Sequence, residues 1–118
     1  MSFFENKEIK ERKKELSLEP NDPAAHFNLG AAYDKAGKLN DAIKEFEATI
    51  KIHPNSAEAH FNLGVLYESV NQGEKAIVHI LKAGNLFGDK NDAVNKMESR
   101  RLLKEFYKKF GFKPEDIE

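Results

Sequence analysis

Apolar residues recur along the chain at helical spacing. From position 24 to 36 they fall at Ala25, Leu29, Ala32, Tyr33 and Ala36, one face of a helix. Gly37-Lys38 interrupts the pattern, and Asn40 is placed to cap a second helix carrying Ala42, Ile43, Phe46 and Ile50. Pro54 cannot continue that helix and ends it near Ile52. Ser56 is placed to cap a third helix bearing Ala59, Leu63, Leu66, Tyr67 and Val70. Asn71-Gln72-Gly73 then turns the chain into a fourth, with Ala76, Ile77, Ile80, Ala83 and Phe87. Ahead of these, residues 3–18 read as a helix with Ser2-Phe3-Phe4-Glu5 as its capping box. Behind them, Asn91 or Asp89 is expected to cap a long last helix from about Asp92 to Phe110, stopped by Gly111. It carries Val94, Met97, Leu102, Leu103, Phe106, Tyr107 and Phe110.

The middle of this pattern is one unit written twice. Ala25-His26-Phe27-Asn28-Leu29-Gly30 returns unchanged as Ala59-His60-Phe61-Asn62-Leu63-Gly64, 34 residues later. Tyr33 and Tyr67, Ala42 and Ala76, Ile43 and Ile77, and Pro20 and Pro54 keep the same displacement. Ile9, Leu16, Leu18 and Pro20 fall 34 residues before Ile43, Ile50, Ile52 and Pro54, so residues 3–18 read as the second helix of an incomplete hairpin. Gly30 and Gly64 lie inside helices, where each costs about 1 kcal/mol relative to alanine. Matched losses need a packing reason, and close approach of the paired helix at Ala42 and Ala76 supplies one.

The spaced residues resemble the tetratricopeptide repeat, whose pattern is W-x2-L-G-x2-Y, then A-x3-F, then P. The first copy reads His26-x2-Leu29-Gly30-x2-Tyr33, Ala42-x3-Phe46, Pro54, and the second His60-x2-Leu63-Gly64-x2-Tyr67, Ala76-x3-Ile80, Gly88. The likeness covers residues 23–90, with His26 and His60 at the Trp position, and Thr49, Ile80 and Gly88 as further departures. It implies an all-α fold: antiparallel helix hairpins stacked as a right-handed α-solenoid of six helices with a long C-terminal capping helix. Expected boundaries are a capping helix at 3–18, repeats at 23–56 and 57–90, a capping helix at 91–110 and a tail at 111–118. Lys96, Arg100, Arg101, Lys104 and Lys108 would give the last helix its polar outer face.

Composition narrows the chemistry. With 19 Lys plus Arg against 20 Asp plus Glu, the formal charge of −1 offers no reason to expect nucleic acid as partner. No cysteine excludes disulfides, thiolate nucleophiles and Cys-bound zinc. Nowhere do about 18 apolar residues run together, so no membrane insertion is expected. No secretory signal is readable either, and the expectation is a cytoplasmic protein. No HExxH element, phosphate loop or nucleophile elbow occurs, so neither an enzyme nor a cofactor or metal is expected. His26 and His60 are expected to fill the large aromatic position of each repeat, and His53 and His79 to lie on helix surfaces. The run from Lys7 to Glu15, with Glu8 and Arg12 four apart, reads as a solvated helix face.

In the family, the first helix of each hairpin lines a concave groove that receives a peptide or a partner's helix. Carried over position by position, this implies Ala24, Phe27, Asn28, Ala31, Asp34 and Lys35 from the first copy. The second gives Glu58, Phe61, Asn62, Val65, Glu68 and Ser69, and the last helix Asn95, Lys96 and Ser99. Phe27 and Phe61 would be exposed anchors beside Ala31 and Val65, with Asp34 and Glu68 as an acidic edge. One branch of the family grips a chaperone's C-terminal carboxylate with Lys, Asn and Arg. Here Phe27 and Ala31 stand in two of those places, Asn62 matches, and Asp92 and Lys96 occupy the last two. The resemblance therefore implies a module for an apolar or amphipathic segment of another protein. The alternative is a self-assembling protein, a homodimer or larger, joined through its terminal helices.

Overall fold

The computed structural model describes residues 6–117, and every regular element among them is an α-helix. They are α1 (Lys7–Leu18), α2 (Pro23–Lys35), α3 (Leu39–Ile52), α4 (Ala57–Ser69), α5 (Gly73–Asp89), α6 (Ala93–Phe110) and the short α7 (Pro114–Ile117). The chain divides into two compact units, one ending at Pro54 and one beginning at Asn55. The expected capping box at Ser2–Glu5 lies outside the described residues. Asn6 caps α1 instead, accepting from the Ile9 amide at 3.2 Å.

In the first unit α2 packs on both α1 and α3. Ile9, Leu29 and Ala32 form a buried cluster, with Leu16 and Tyr33 against it. Phe46 of α3 is wholly buried, and a methyl group built on Gly30 would sit 3.1 Å from its ring. The glycine thus makes room for the phenylalanine, rather than for Ala42 as its place in the sequence suggests. Glu8 pairs with Lys35 of α2 at 3.3 Å, and Arg12 with Glu15 at 3.0 Å. The expected Glu8–Arg12 contact is replaced because α2 offers Glu8 a cation.

The second unit repeats the hairpin in α4 and α5 and adds α6 across α5. Leu63, Ile77 and Ile80 are fully buried, and Ala57, Ala83, Leu86 and Phe87 form a cluster with Phe61 packed against it. A methyl group on Gly64 would run into the Ile80 side chain and lie 3.1 Å from the Ala76 carbonyl oxygen. Here the approach at Ala76 is real, and tighter than its counterpart in the first unit.

The turns explain the helix ends. Gly37 (φ 77°), Asn71 (φ 63°), Asn91 (φ 59°) and Gly111 (φ 73°) are left-handed residues just past α2, α4, α5 and α6. After each, the next amide reaches back to a carbonyl five residues earlier: Lys38 to Tyr33, Gln72 to Tyr67, Asp92 to Phe87 and Phe112 to Tyr107, all at 2.8–3.1 Å. This closure satisfies carbonyls the helix leaves open. It also carries the chain straight into α3, so Asn40 lies inside that helix and caps nothing. Ser56 caps α4 through the Ala59 amide at 3.3 Å.

The third period slips. Asp22 and Ser56, the caps of α2 and α4, are 34 residues apart, but the cap of α6 is Asp92, 36 residues after Ser56. The α5 helix runs on to Asp89, since Gly88 stands where Pro54 ended α3. Neither Asn91 nor Asp89 is therefore the cap. The slip turns α6 about its axis: Ser99 is buried against Gly84, the Lys96 stem lies over Gly88, and the Phe110 ring occupies the space above Gly73.

Candidate functional site

On α2, Asn28, Ala31, Asp34 and Lys35 are exposed along one side, while Phe27 is half-buried. Its ring meets Phe46 edge-on, centroids 5.2 Å apart. On α4, Glu58 and Val65 are exposed, and Phe61, Asn62 and Glu68 are half-buried. The Phe61 ring meets Phe87 edge-on at 6.3 Å. The two phenylalanines therefore pack half-buried against the second helix of their own hairpins, and the expectation of freely exposed anchors is corrected. The most accessible apolar residue of this face on α4 is Val65, at 36%. Glu68 is tied to Lys109 of α6 by a 2.6 Å ion pair, and Lys35 to Glu8, so each acidic or basic edge is already partly neutralised.

The last helix departs further from the carry-over. Ser99 is 1% exposed, its hydroxyl donating to the Asn95 carbonyl at 2.8 Å, so it is a packing residue. Lys96 is half-buried on α5 and leaves the expected polar outer face, while Arg100, Arg101, Lys104 and Lys108 stay exposed. Arg101 is held by Glu98 and Glu105. That bonding lowers the Glu98 carboxyl below its ordinary range and raises the guanidinium.

Histidine chemistry is internal to each hairpin. His26 Nε2 donates to the Pro20 carbonyl at 2.8 Å, and Nδ1 lies 2.8 Å from Glu45 Oε1. At the matching place in the second unit, His60 Nδ1 and His79 Nδ1 are 3.0 Å apart, one donating and the other accepting. Tyr67 stacks on the His79 ring at 5.6 Å. His79 is therefore part of the hairpin interior and not a surface residue. The signal was in the sequence: His79 stands 34 residues after Glu45, as His60 does after His26. His53 is exposed beyond α3. Among the described residues no three histidines or acids gather as a metal site, and no helix is long and apolar enough to cross a membrane.

The repeat geometry agrees with the family comparisons. A model described as "TPR repeat" matches residues 33–71, and one described as "Tetratricopeptide repeat" matches residues 13–44. The chain belongs to the tetratricopeptide repeat family. No curated protein matches it. Among solved structures, the type III secretion translocator chaperone SycD of Yersinia enterocolitica superposes with a TM-score of 0.81 at 16% identity, over 86% of this chain and 70% of SycD. A structure of MamA gives 0.62 at 22%, over 86% of this chain and 67% of MamA. A double mutant of MamA RS-1 gives 0.60 at 25%, over 86% and 65%. These likenesses establish the fold. As a tetratricopeptide repeat protein, the chain belongs to a class of protein-interaction modules.

Proposed function

We propose that the chain is a non-catalytic scaffold or adaptor in which the first helix of each hairpin offers a docking face for an apolar or amphipathic segment of a partner protein. Phe27, Asn28, Ala31, Asp34 and Lys35 serve on α2, and Glu58, Phe61, Asn62, Val65 and Glu68 on α4. The observation that carries the reading is recurrence on an accessible face. Phe–Asn is kept unchanged in both units, followed by a small apolar residue and an acid, while the opposite side buries Leu29 in α2 and Leu63 in α4. Aromatic edges and aliphatic tips within a polar surround supply apolar contact, and Asp34, Lys35 and Glu58 set register. SycD is by its title a chaperone of translocators, and a protein client fits the same reading here.

A photo-crosslinking amino acid at position 31 or 65, compared with one at the exposed Lys44 of α3, tests the assignment in native extracts. Adducts at 31 and 65 that an excess of unlabelled protein removes, and none at 44, are expected. The same adducts from all three positions would contradict it. A second reading, self-assembly through the terminal helices, draws on Val94 and Met97, 78% and 70% exposed on α6. Light scattering of the purified chain separates it from a monomeric adaptor.

A further inference from the structure

Where α6 crosses α5, two small residues, Gly84 and Ser99, let the helices pack closely. Beside this contact the two helices leave a partly open cleft of about 180 Å³. Its apolar lining is Ile80, which is fully buried, with Leu81 and Leu103. Lys96 and Arg100, one turn apart on α6, also line it, as does Asn85. Among the described residues neither cation makes an ion pair or hydrogen bond. The acid one turn before Lys96 is Asp92, and it is occupied: one oxygen accepts from the Asn95 amide at 3.1 Å and the other from the Asn95 side chain at 2.8 Å.

A space of this size holds one aliphatic side chain, and unpaired cations at an apolar opening select a carboxylate beside it. We propose that the α5–α6 cleft is a second docking site, for a partner segment that inserts a leucine-sized side chain and lays an adjacent Asp or Glu on Lys96 and Arg100. This deepens the interaction-module reading and rests on it, since the segment belongs to a protein partner. Insertion desolvates Lys96 and Arg100 on one side, which strengthens their hold on the carboxylate. The aliphatic side chain gains dispersion contacts with Leu81 and Leu103, which are half-buried in the cleft.

The test uses an acetylated, C-terminally amidated helical peptide with leucine and glutamate on one face, so that no terminal carboxylate takes part. Titrated into the full chain, it should shift the amide resonances of residues 81, 84, 85, 96, 99, 100 and 103. The same peptide with lysine for glutamate should bind at least tenfold more weakly. The double variant Lys96→Glu, Arg100→Glu should lose at least tenfold. Lys104→Glu, Lys108→Glu makes the same charge change elsewhere on α6 and should stay within twofold. Equal losses in both double variants would mean attraction by net charge and overturn the proposal, as would no binding at millimolar peptide. Loss in Val65→Asp alone would keep the interaction-module reading and remove the cleft from it. If the cleft resonances move on deletion of residues 113–118 and ignore the peptide, the chain's own Ile117, preceded by Glu115 and Asp116, is the occupant. The partner proposal then fails.

Discussion

Gly30 and Gly64 occupy the same place in the repeat but not the same space. A methyl group at Gly30 presses on one ring, Phe46, whereas at Gly64 it meets both Ile80 and the Ala76 carbonyl. Alanine gains about 1 kcal/mol of helix propensity at either place. Overpacking against side chain and backbone costs about 1–3 kcal/mol. Gly64→Ala should therefore be net destabilising, and Gly30→Ala close to neutral, as read from urea midpoints. Equal midpoints for the two variants would mean the hairpins are not packed as described. Phe61 follows the same logic. Packed against Phe87, it will cost stability when truncated, though less than the about 3–5 kcal/mol of a core residue such as Phe46. A separation of binding from folding is therefore better sought at Val65.

At the scale of elements, the helices were legible wherever the repeat was intact, because period, proline and cap all recur together. Ser56 reads correctly because a serine before an apolar run has one obvious task. Asn40 does not, because the left-handed Gly37 closes α2 and starts α3 within three residues, leaving no room for a side-chain cap. The same closure in the second unit depends on Asn71. Asn71→Gly should hold or raise stability, while Asn71→Val should lower it by about 1–2 kcal/mol, the cost of a branched side chain at positive φ. Thermal melts of the two variants check this.

The cap of α6 gives a pH dependence. Hydrogen bonds from the Asn95 side chain and then its amide hold the Asp92 carboxyl below its ordinary 3.8. Its contribution is thus complete above the unfolded value and lost as pH falls through the lower folded one. Amide exchange over residues 93–96 should quicken in that acid window. Asp92→Asn caps without titrating and should flatten the response. An unchanged acid response in Asp92→Asn would assign it elsewhere.

For the whole molecule, family and fold class were legible from two exact copies of six residues. The orientation of α6 was not. Nothing in its own sequence announces a two-residue slip. The cause lies upstream, in a Gly88 that lets α5 continue, and the result is Ser99 inside and Val94 and Met97 outside. The half-buried state of Phe27 depends on Phe46 reaching across the hairpin. Removing residues 93–118 should uncover α5 along Gly73, Ile80 and Gly84 and lower the melting temperature or cause aggregation. A truncated chain as soluble and stable as the intact one would deny α6 its covering role.

The central claim is that the accessible face of α4 binds a partner while the hairpin behind it only supports that face. Calorimetric titration of the crosslinked partner into Val65→Asp tests it most directly, because Val65 is 36% exposed and lies outside the buried clusters. The expected result is an unchanged melting temperature with affinity reduced about thirtyfold, the ~2 kcal/mol of a binding hot spot. Full affinity in a folded Val65→Asp protein would contradict it.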